Sequence, residues 1–189
     1  MKTGFGLLKR FRSVYGHYNL FRFWIRKKLL GFEVANLFIQ KVDKISLKLI
    51  LSRNGAIIGK NCDIETGLIF HNCKDYTNLT IGNDCHIGKN CFFDLKEKVI
   101  IGNNVVVSMQ STFITHLDMS KSNLSTKFKS SKEIIIVKDI SYVGANTTIL
   151  KGVTLEESSF VAACSLVNRN VDSYTLFGGN PAKKIKNIN

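Results

Sequence analysis

From residue 137 onward, an apolar residue returns at every sixth position. Six consecutive hexads, without an insertion, open on Val137, Val143, Ile149, Leu155, Val161 and Val167. The residue four positions after each opener is small or β-branched: Ser141, Thr147, Val153, Ser159, Ser165 and Val171. Since residues two apart on a strand point to the same side, this residue and the next opener both face inward. The pattern therefore predicts short strands separated by corners.

The position between the two inward residues must turn the chain. It holds Ile140, Asn146, Gly152, Ser158, Cys164 and Asn170. Asn and Gly are typical of such corners because they tolerate a positive φ. Nothing helical separates the strands, so they are expected to stack in parallel, at about 4.8 Å per turn. The sequence predicts an all-β solenoid with a narrow interior.

Hexads also precede this stretch, with interruptions. Further openers are Ile58, Ile81, Ile87, Phe93, Ile101, Val107 and Phe113. The segment from Phe70 to Leu79 breaks the repeat, and the register slips by two residues around Asp94–Val99. After His116 the chain turns polar, and long loops inside a repeat are usually functional or disordered. We predict a coil domain over residues 53–189, with a loop at about 117–135 and a basic C-terminal tail.

Residues 1–52 lack hexads and are predicted to form a basic helical region. Eight basic residues and no acidic residue precede Phe32: Lys2, Lys9, Arg10, Arg12, Arg22, Arg26, Lys27 and Lys28. Helical spacing of apolar residues predicts one or two short helices before Phe32 and another from Val34 to Leu51. These helices would cap the coil or pack in an oligomer, with a solvated basic face. A second, compatible interpretation places the basic face on an anionic membrane.

The net charge and the positions of the cysteines indicate which partners and which cellular compartment to expect. The formal net charge of +13 favours anionic partners. We expect no nucleic acid, because no nucleic-acid-binding motif is present. Cys62, Cys85 and Cys91 occupy inward places of hexads, and no C-x-x-C pair exists, which is typical of structural thiols in a reducing compartment. No apolar run is long enough to span a bilayer and no secretory signal is recognised, so we expect a cytoplasmic protein.

Three motifs resemble those of the hexapeptide-repeat acyltransferases, in their branch of sugar and polysaccharide O-acetyltransferases. They are Val143-Gly144-Ala145-Asn146, Ile149-Leu150-Lys151-Gly152-Val153-Thr154 and Gly178-Gly179-Asn180-Pro181-Ala182-Lys183. The likeness covers roughly Gly55 to Asn187. It implies a left-handed parallel β-helix that works as a homotrimer. The handedness comes from the resemblance alone, since parallel crossovers are otherwise nearly always right-handed.

The resemblance also implies acetyl-CoA as the acyl donor, bound in a groove between neighbouring subunits. The matching positions are Ala145, Ala163, Asn168, Arg169, Lys183 and Lys186. The two lysines would pair with the phosphates of coenzyme A; a solvated tail is the alternative. Cys164 stands where the family usually has Gly, so the local turn is in question. No metal is expected.

His116 is the predicted catalytic residue. It follows Phe113-Ile114-Thr115, where the resemblance places a catalytic histidine. Imidazole suits a general base that takes the proton from a hydroxyl as it attacks a thioester. A solvated loop histidine is the alternative. Leu117 separates His116 from Asp118, so either Asp118 or a backbone carbonyl would orient the ring.

Candidate acceptor-binding residues are Asp94, Asp118 and His71. Asp94 lies about one coil below His116, where similar proteins carry an acid that binds acceptor hydroxyls; a turn or an ion pair is the alternative role. His71 lies in the irregular segment after Phe70 and is expected to line the acceptor pocket.

The predicted function is O-acetylation of a sugar or surface-polysaccharide precursor. The alternative is N-acetylation of an amino sugar nucleotide or another small amine. A carbonic anhydrase on the same fold would need three histidines around zinc, and Lys121 stands where its His-x4-His spacing requires the second one. A scaffold without catalysis would have lost its donor groove, which the small residues Ala145 and Ala163 argue against.

Overall fold

Three helices precede the coil. The computed structural model describes residues 3–188, with side chains from residue 11 onward, so Lys2 and the side chains of Lys9 and Arg10 lie outside the described part. The helices are α1 Thr3–Leu30, α2 Phe32–Ile39 and α3 Lys44–Arg53.

The helix boundaries differ from the sequence prediction. The first helix is one long element, where one or two short ones were expected. The single helix expected from Val34 to Leu51 is wrong, because the chain breaks between α2 and α3. Asp43 marks the start of the second helix: its Oδ1 accepts hydrogen bonds from the amides of Ile45 (3.0 Å) and Ser46 (3.1 Å), which caps α3.

Short strands make up the rest of the chain. Their bounds are β1 Ile57–Ile58, β2 Asp63–Ile64, β3 Ile69–His71, β4 Leu79–Ile81, β5 His86–Ile87, β6 Phe92–Asp94, β7 Val99–Ile101, β8 Val106–Val107, β9 Thr112–Ile114, β10 His116–Leu117, β11 Ser131–Lys132, β12 Ile135–Val137, β13 Tyr142–Val143, β14 Thr148–Leu150, β15 Thr154–Leu155, β16 Phe160–Val161, β17 Leu166–Val167, β18 Thr175–Gly178 and β19 Lys183–Asn187.

The strands form a coil with three faces, and each turn contributes one strand to each face. Face A holds β1, β4, β7, β12 and β15, and face B holds β2, β5, β8, β13, β16 and β18. Face C holds β3, β6, β9, β14 and β17, and neighbours within each face run parallel. The last strand, β19, adds antiparallel to the edge of face B. The predicted parallel solenoid is confirmed.

The interior follows the hexad pattern. The six openers from Val137 to Val167 are buried, as are all six residues four positions later. The polar ones are satisfied by the next coil: Ser141 donates to the carbonyl of Glu156 (3.0 Å) and Thr147 to that of Ala162 (3.2 Å). Cys85 and Cys91 are buried in equivalent places, while Cys62 is half-buried. Small hydrogen-bonding side chains therefore fill the corners without leaving unpaired groups.

Five of the six predicted corners adopt the expected backbone conformation, and Asn170 does not. Positive φ angles occur at Ile140 (62°), Asn146 (57°), Ser158 (58°) and Cys164 (59°), as at Gly152 (77°). Cys164 thus makes the turn that a glycine would make, and the substitution leaves the coil intact. An L side chain in this region carries strain, which neighbouring coils must hold.

The helices cover the start of the coil and position its first loop. On α1, Phe23 is buried against the rings of Phe32 and Tyr76. On α2, the Asn36 amide donates to the carbonyl of Phe70 (2.7 Å) and accepts from the Tyr76 hydroxyl (3.0 Å). These bonds fix α2 beside the segment that follows β3. None of the helices in residues 3–188 is long and apolar enough to cross a membrane.

Candidate active site

Face C places Asp94 directly below the start of the long loop. Strands β6 and β9 are parallel neighbours, and Phe93 pairs in register with Phe113. Their rings stack at 4.9 Å, which fixes the spacing of the two coils. Asp94 ends β6, and Thr115 and His116 follow β9 one coil above. His116 begins β10, which pairs antiparallel with β11, so the loop leaves and rejoins the coil beside this residue.

Asp94 is a buried, fully bonded carboxylate. It is 2% exposed. Its Oδ2 accepts hydrogen bonds from the Thr115 amide (2.9 Å) and hydroxyl (2.9 Å), and its Oδ1 accepts one from the Asn72 side chain (3.0 Å). Burial raises the pKa of Asp94, but the hydrogen bonds from Asn72, His116 and Thr115 outweigh it and lower the pKa below its ordinary value. The carboxylate is therefore ionised at neutral pH.

The imidazole of His116 is held by this carboxylate. Its Nδ1 lies 2.6 Å from Asp94 Oδ2, and its side chain is 24% exposed. An ionised carboxylate can only accept a hydrogen bond, so Nδ1 carries the proton and Nε2 is left as the basic nitrogen. The Asn72 amide nitrogen lies 3.4 Å from Nε2. The pair is arranged to abstract a proton at Nε2.

Asp118 does not orient the ring, contrary to one of the two options raised by the sequence, and neither does a backbone carbonyl. Asp118 is exposed, and its carboxylate accepts from the Ser120 amide (2.8 Å) and the Ser130 hydroxyl (3.3 Å). The bond from the Ser120 amide is the main cause that lowers the pKa of Asp118. Asp118 thus stabilises the fold of the loop beside His116.

Two cavities that share Lys96 lie next to His116 and Asn72. A cleft of about 260 Å³ is lined by His116, by Asp118 and Lys132 from the two ends of the loop, and by Lys96, which follows β6. A larger cavity of about 550 Å³ lies between α2 and the segment after β3, and is also lined by Lys96. His71, which packs beside Phe92, and Asn72 line the larger cavity. Asp94 lines neither.

The six predicted donor residues lie at three places in one subunit. Ala145 and Ala163 stack at the corner between faces B and C, where the Cys164 amide donates to the Ala145 carbonyl (2.8 Å). Asn168 and Arg169 follow β17 at the corner between faces C and A, the corner from which His116 leaves two coils earlier. Lys183 and Lys186 are exposed on β19. A single subunit does not bring all of them to His116.

Two residues of the site were not found from the sequence. Asn72 contacts both Asp94 and His116, and Thr115 donates two hydrogen bonds to the carboxylate of Asp94. Asn72 lies in the segment where the repeat breaks, but an Asn just after a strand is a known signal for a positive φ, and its φ is 54°. In the described range, no group of three or more His, Cys, Asp or Glu side chains is arranged to hold a metal.

Comparison with known proteins agrees with this architecture. Residues 78–109 match the family described as the hexapeptide repeat of succinyl-transferase. A chloramphenicol acetyltransferase from Klebsiella aerogenes is 27% identical over 172 residues, which are 89% of this chain and 76% of the relative.

Solved structures share the fold. A hexapeptide-repeat acetyltransferase from Vibrio cholerae aligns with a TM-score of 0.72 and 24% identity, over 82% of this chain and 86% of the other. A maltose O-acetyltransferase from Clostridium difficile has a TM-score of 0.69 and 21% identity, over 81% of each chain. AntD, an N-acyltransferase from Bacillus cereus in complex with dTDP and coenzyme A, has a TM-score of 0.60 and 23% identity, over 71% and 75%.

The coil is a left-handed parallel β-helix built from hexapeptide repeats, and the chain is similar to acyltransferases of this fold. The similarity to named acetyltransferases supports an acyltransferase.

Proposed function

We propose that the protein transfers acetyl from acetyl-CoA to a hydroxyl of a sugar or surface-polysaccharide precursor. The observation that carries the proposal is the His116–Asp94 pair. A buried, ionised Asp94 holds Nδ1–H of His116, which leaves Nε2 as the basic nitrogen of a side chain that lines the smaller cavity. An imidazole held in this tautomer is suited to general base catalysis.

The mechanism is a direct transfer. His116 Nε2 takes the proton from the acceptor hydroxyl as its oxygen attacks the thioester carbonyl, and a tetrahedral intermediate forms. Collapse of the intermediate breaks the carbon–sulfur bond. The departing thiolate receives the proton back from Nε2, so no covalent enzyme intermediate is needed. A positioned general base of this kind contributes roughly 10²- to 10⁴-fold to the rate.

Asp94 acts in this proposal as a positioning residue and not as a ligand of the acceptor. Its oxygens are occupied by Thr115, Asn72 and His116. The acceptor would lie in the cavities that meet at Lys96, where His71 and Asp118 are available to its hydroxyls. Polar groups around a cavity of this kind suit a small, hydroxyl-rich ligand.

The donor would bind between two subunits of a homotrimer. Ala145 and Ala163 lie at a different corner from His116, so a neighbouring copy must bring them to that histidine. The structure of the Vibrio cholerae relative complexed with acetyl coenzyme A supports this donor. Lys183 and Lys186 would reach its phosphates. The reaction would take place in the cytoplasm, where acetyl-CoA is made.

N-acetylation of an amino sugar nucleotide is the second candidate, and the likeness to AntD favours it. An amine acceptor would use the same base at the same place. The two are separated by the product, because only an O-acetyl ester is cleaved by mild alkali.

Calorimetric titration with acetyl-CoA tests the donor without knowledge of the acceptor. We expect the wild type and His116→Ala to bind with similar Kd, since His116 acts on the acceptor's proton. Ala163→Phe, which fills the proposed groove, should bind at least tenfold more weakly. If the folded wild type binds no acetyl-CoA, the donor assignment is wrong.

A further inference from the structure

The outer face of α1 carries a row of exposed apolar and aromatic side chains. Phe11, Val14, Tyr18 and Phe21 follow one another at spacings of three, four and three residues, which places them on one side of the helix. All four are exposed, Phe21 by 56%. Leu29 extends the row at the far end of the helix and is exposed as well. We call these five residues the outer row.

The inner face of α1 is already used for packing. Phe23 is buried against Phe32 and Tyr76, and the Asn19 amide donates to the Ser46 hydroxyl on α3 (3.0 Å). The helix is therefore apolar on two faces. The inner face packs against the rest of the protein, whereas the side chains of the outer row stay exposed in the described chain. A contiguous apolar patch of this kind marks an interaction surface.

The charge carried by α1 itself is entirely positive, and Asp43 of the neighbouring segment lines a cavity with Phe11. Between Thr3 and Leu30 the sequence has seven basic residues and no acidic one. Among the described side chains, none of these cations forms an ion pair with a carboxylate. Instead, the guanidinium groups of Arg22 and Arg26 lie over the ring of Phe38 at 5.0 and 4.3 Å, and Lys27 donates to Asn54. Asp75 lies close enough to feel the charge of Lys27, but α1 keeps an excess of positive charge.

We propose that α1 lies along the surface of an anionic phospholipid membrane, with the outer row at the level of the headgroups. Helices that bind in the membrane interface typically carry exposed aromatic residues flanked by Lys and Arg. Each cation near an anionic leaflet adds a favourable interaction. Trp24, which is 53% exposed and stacks on Phe21 at 6.2 Å, lies at the edge of this surface.

A second copy of the chain fits the outer row less well. Two α1 helices in contact would bring like charges together, because α1 has seven basic residues and no acidic one, and such pairs repel. An anionic lipid surface neutralises the same charges. Charge complementarity therefore selects the membrane as the occupant.

The test uses the full chain and vesicles of known composition. We expect the wild type to sediment with vesicles of equimolar phosphatidylglycerol and phosphatidylcholine, and to remain in solution with phosphatidylcholine alone. Salt should weaken the binding, because it screens the charge interaction. Trp24 is the only tryptophan, so its emission reports directly on this surface and should shift to shorter wavelength on binding.

Variants distinguish binding through the outer row from nonspecific adsorption of the protein to vesicles. The double variant Tyr18→Ser, Phe21→Ser should lower the partition coefficient on the order of tenfold, since two rings leave the interface. Ile57→Ser removes an apolar side chain of similar exposure (64%) from the coil and should bind like the wild type. Circular dichroism confirms that each variant is folded.

Three outcomes would overturn the proposal. They are equal binding to neutral and anionic vesicles, undiminished binding by the double variant, and absence of binding by the folded wild type. If, in the last case, sedimentation velocity shows that the double variant loses subunit association, the outer row belongs to a second copy.

Discussion

At the scale of single residues, the Asp94–His116 pair is the centre of the proposed chemistry. The chain contains a second pair of the same kind, Asp63–His86, in which Nδ1 lies 3.2 Å from Oδ2. That pair is partly exposed on face B, whereas Asp94 is buried. The two pairs allow matched substitutions, because the same chemical change can be made with and without the buried contact.

Replacement of Asp94 by Asn should lower kcat by roughly 10²- to 10³-fold, because an amide no longer fixes the proton on Nδ1. The apparent affinity for acetyl-CoA should stay within a few-fold of the wild type. Steady-state kinetics checks both values. Asp63→Asn is the control, and a comparable loss of kcat in both variants would remove the special role of Asp94.

The lowered pKa of Asp94 makes it a pH-dependent contributor to stability. Since the pKa is lower in the folded than in the unfolded protein, the contribution is complete above the ordinary Asp pKa of about 3.9 and is lost as pH falls through the folded-state value. The difference in unfolding free energy between wild type and Asp94→Asn should be larger at pH 7 than at pH 3. Urea unfolding at the two pH values measures it. An equal difference at both would contradict the account.

The sequence was sufficient to find Asp94 and His116, but not their contact. The hexad register slips by two residues between Asp94 and Val99. The sequence pattern therefore did not determine the length of that coil or which side chain lies below His116. Asn72 was missed because it lies where the repeat breaks. Both cases depend on how irregular segments fold back on the coil, which local patterns do not specify.

At the scale of elements, stability depends on how closely the coils stack. Gly144 lies under the next corner, and a Cβ built there would be 2.4 Å from the Ala163 amide nitrogen. By contrast, Gly16 on α1 has only side-chain atoms at 3.4 Å and beyond near such a Cβ. Replacement by Ala is therefore expected to destabilise the protein at Gly144 but not at Gly16.

Gly144→Ala should destabilise the protein by about 1–3 kcal/mol, because backbone atoms of two coils would have to separate. Gly16→Ala should be neutral or stabilising by up to about 1 kcal/mol, since Ala is favoured over Gly inside a helix. Denaturant midpoints of the two variants give the comparison. A Gly144→Ala variant as stable as wild type would show that the corner is more tolerant than its packing indicates.

The elements also show where sequence patterns are reliable. Hexads predicted the strands of the coil because each inward residue meets the same environment in every turn. The helical region was less predictable: the 3.6-residue period continues across Asp43, and only the capping bonds of its side chain show that one helix ends and another begins.

At the scale of the whole molecule, the proposal requires an active site that is shared between subunits. His116 leaves the corner between faces C and A, and Ala163 lies at the corner between faces B and C. The proposed homotrimer therefore has to place the first corner of one copy beside the second corner of its neighbour.

Mixed oligomers test this arrangement. His116→Ala and Ala163→Phe should each be inactive alone, because every site lacks either the base or the donor groove. Co-expression should restore part of the activity, since some interfaces then combine two intact halves. Acetyl transfer by affinity-purified mixed oligomers is the measurement. If the mixture stays as inactive as its parents, both halves lie in one subunit.

The most direct test of the account is acetyl transfer by the wild type and by His116→Ala. Release of coenzyme A from acetyl-CoA would be followed over a panel of sugars, amino sugars and their nucleotides, with His86→Ala as the matched control. We predict acceptor-dependent release by wild type and His86→Ala, an alkali-labile product, and a loss of roughly 10²- to 10⁴-fold in kcat for His116→Ala. Unchanged turnover by a folded His116→Ala variant would contradict the central claim.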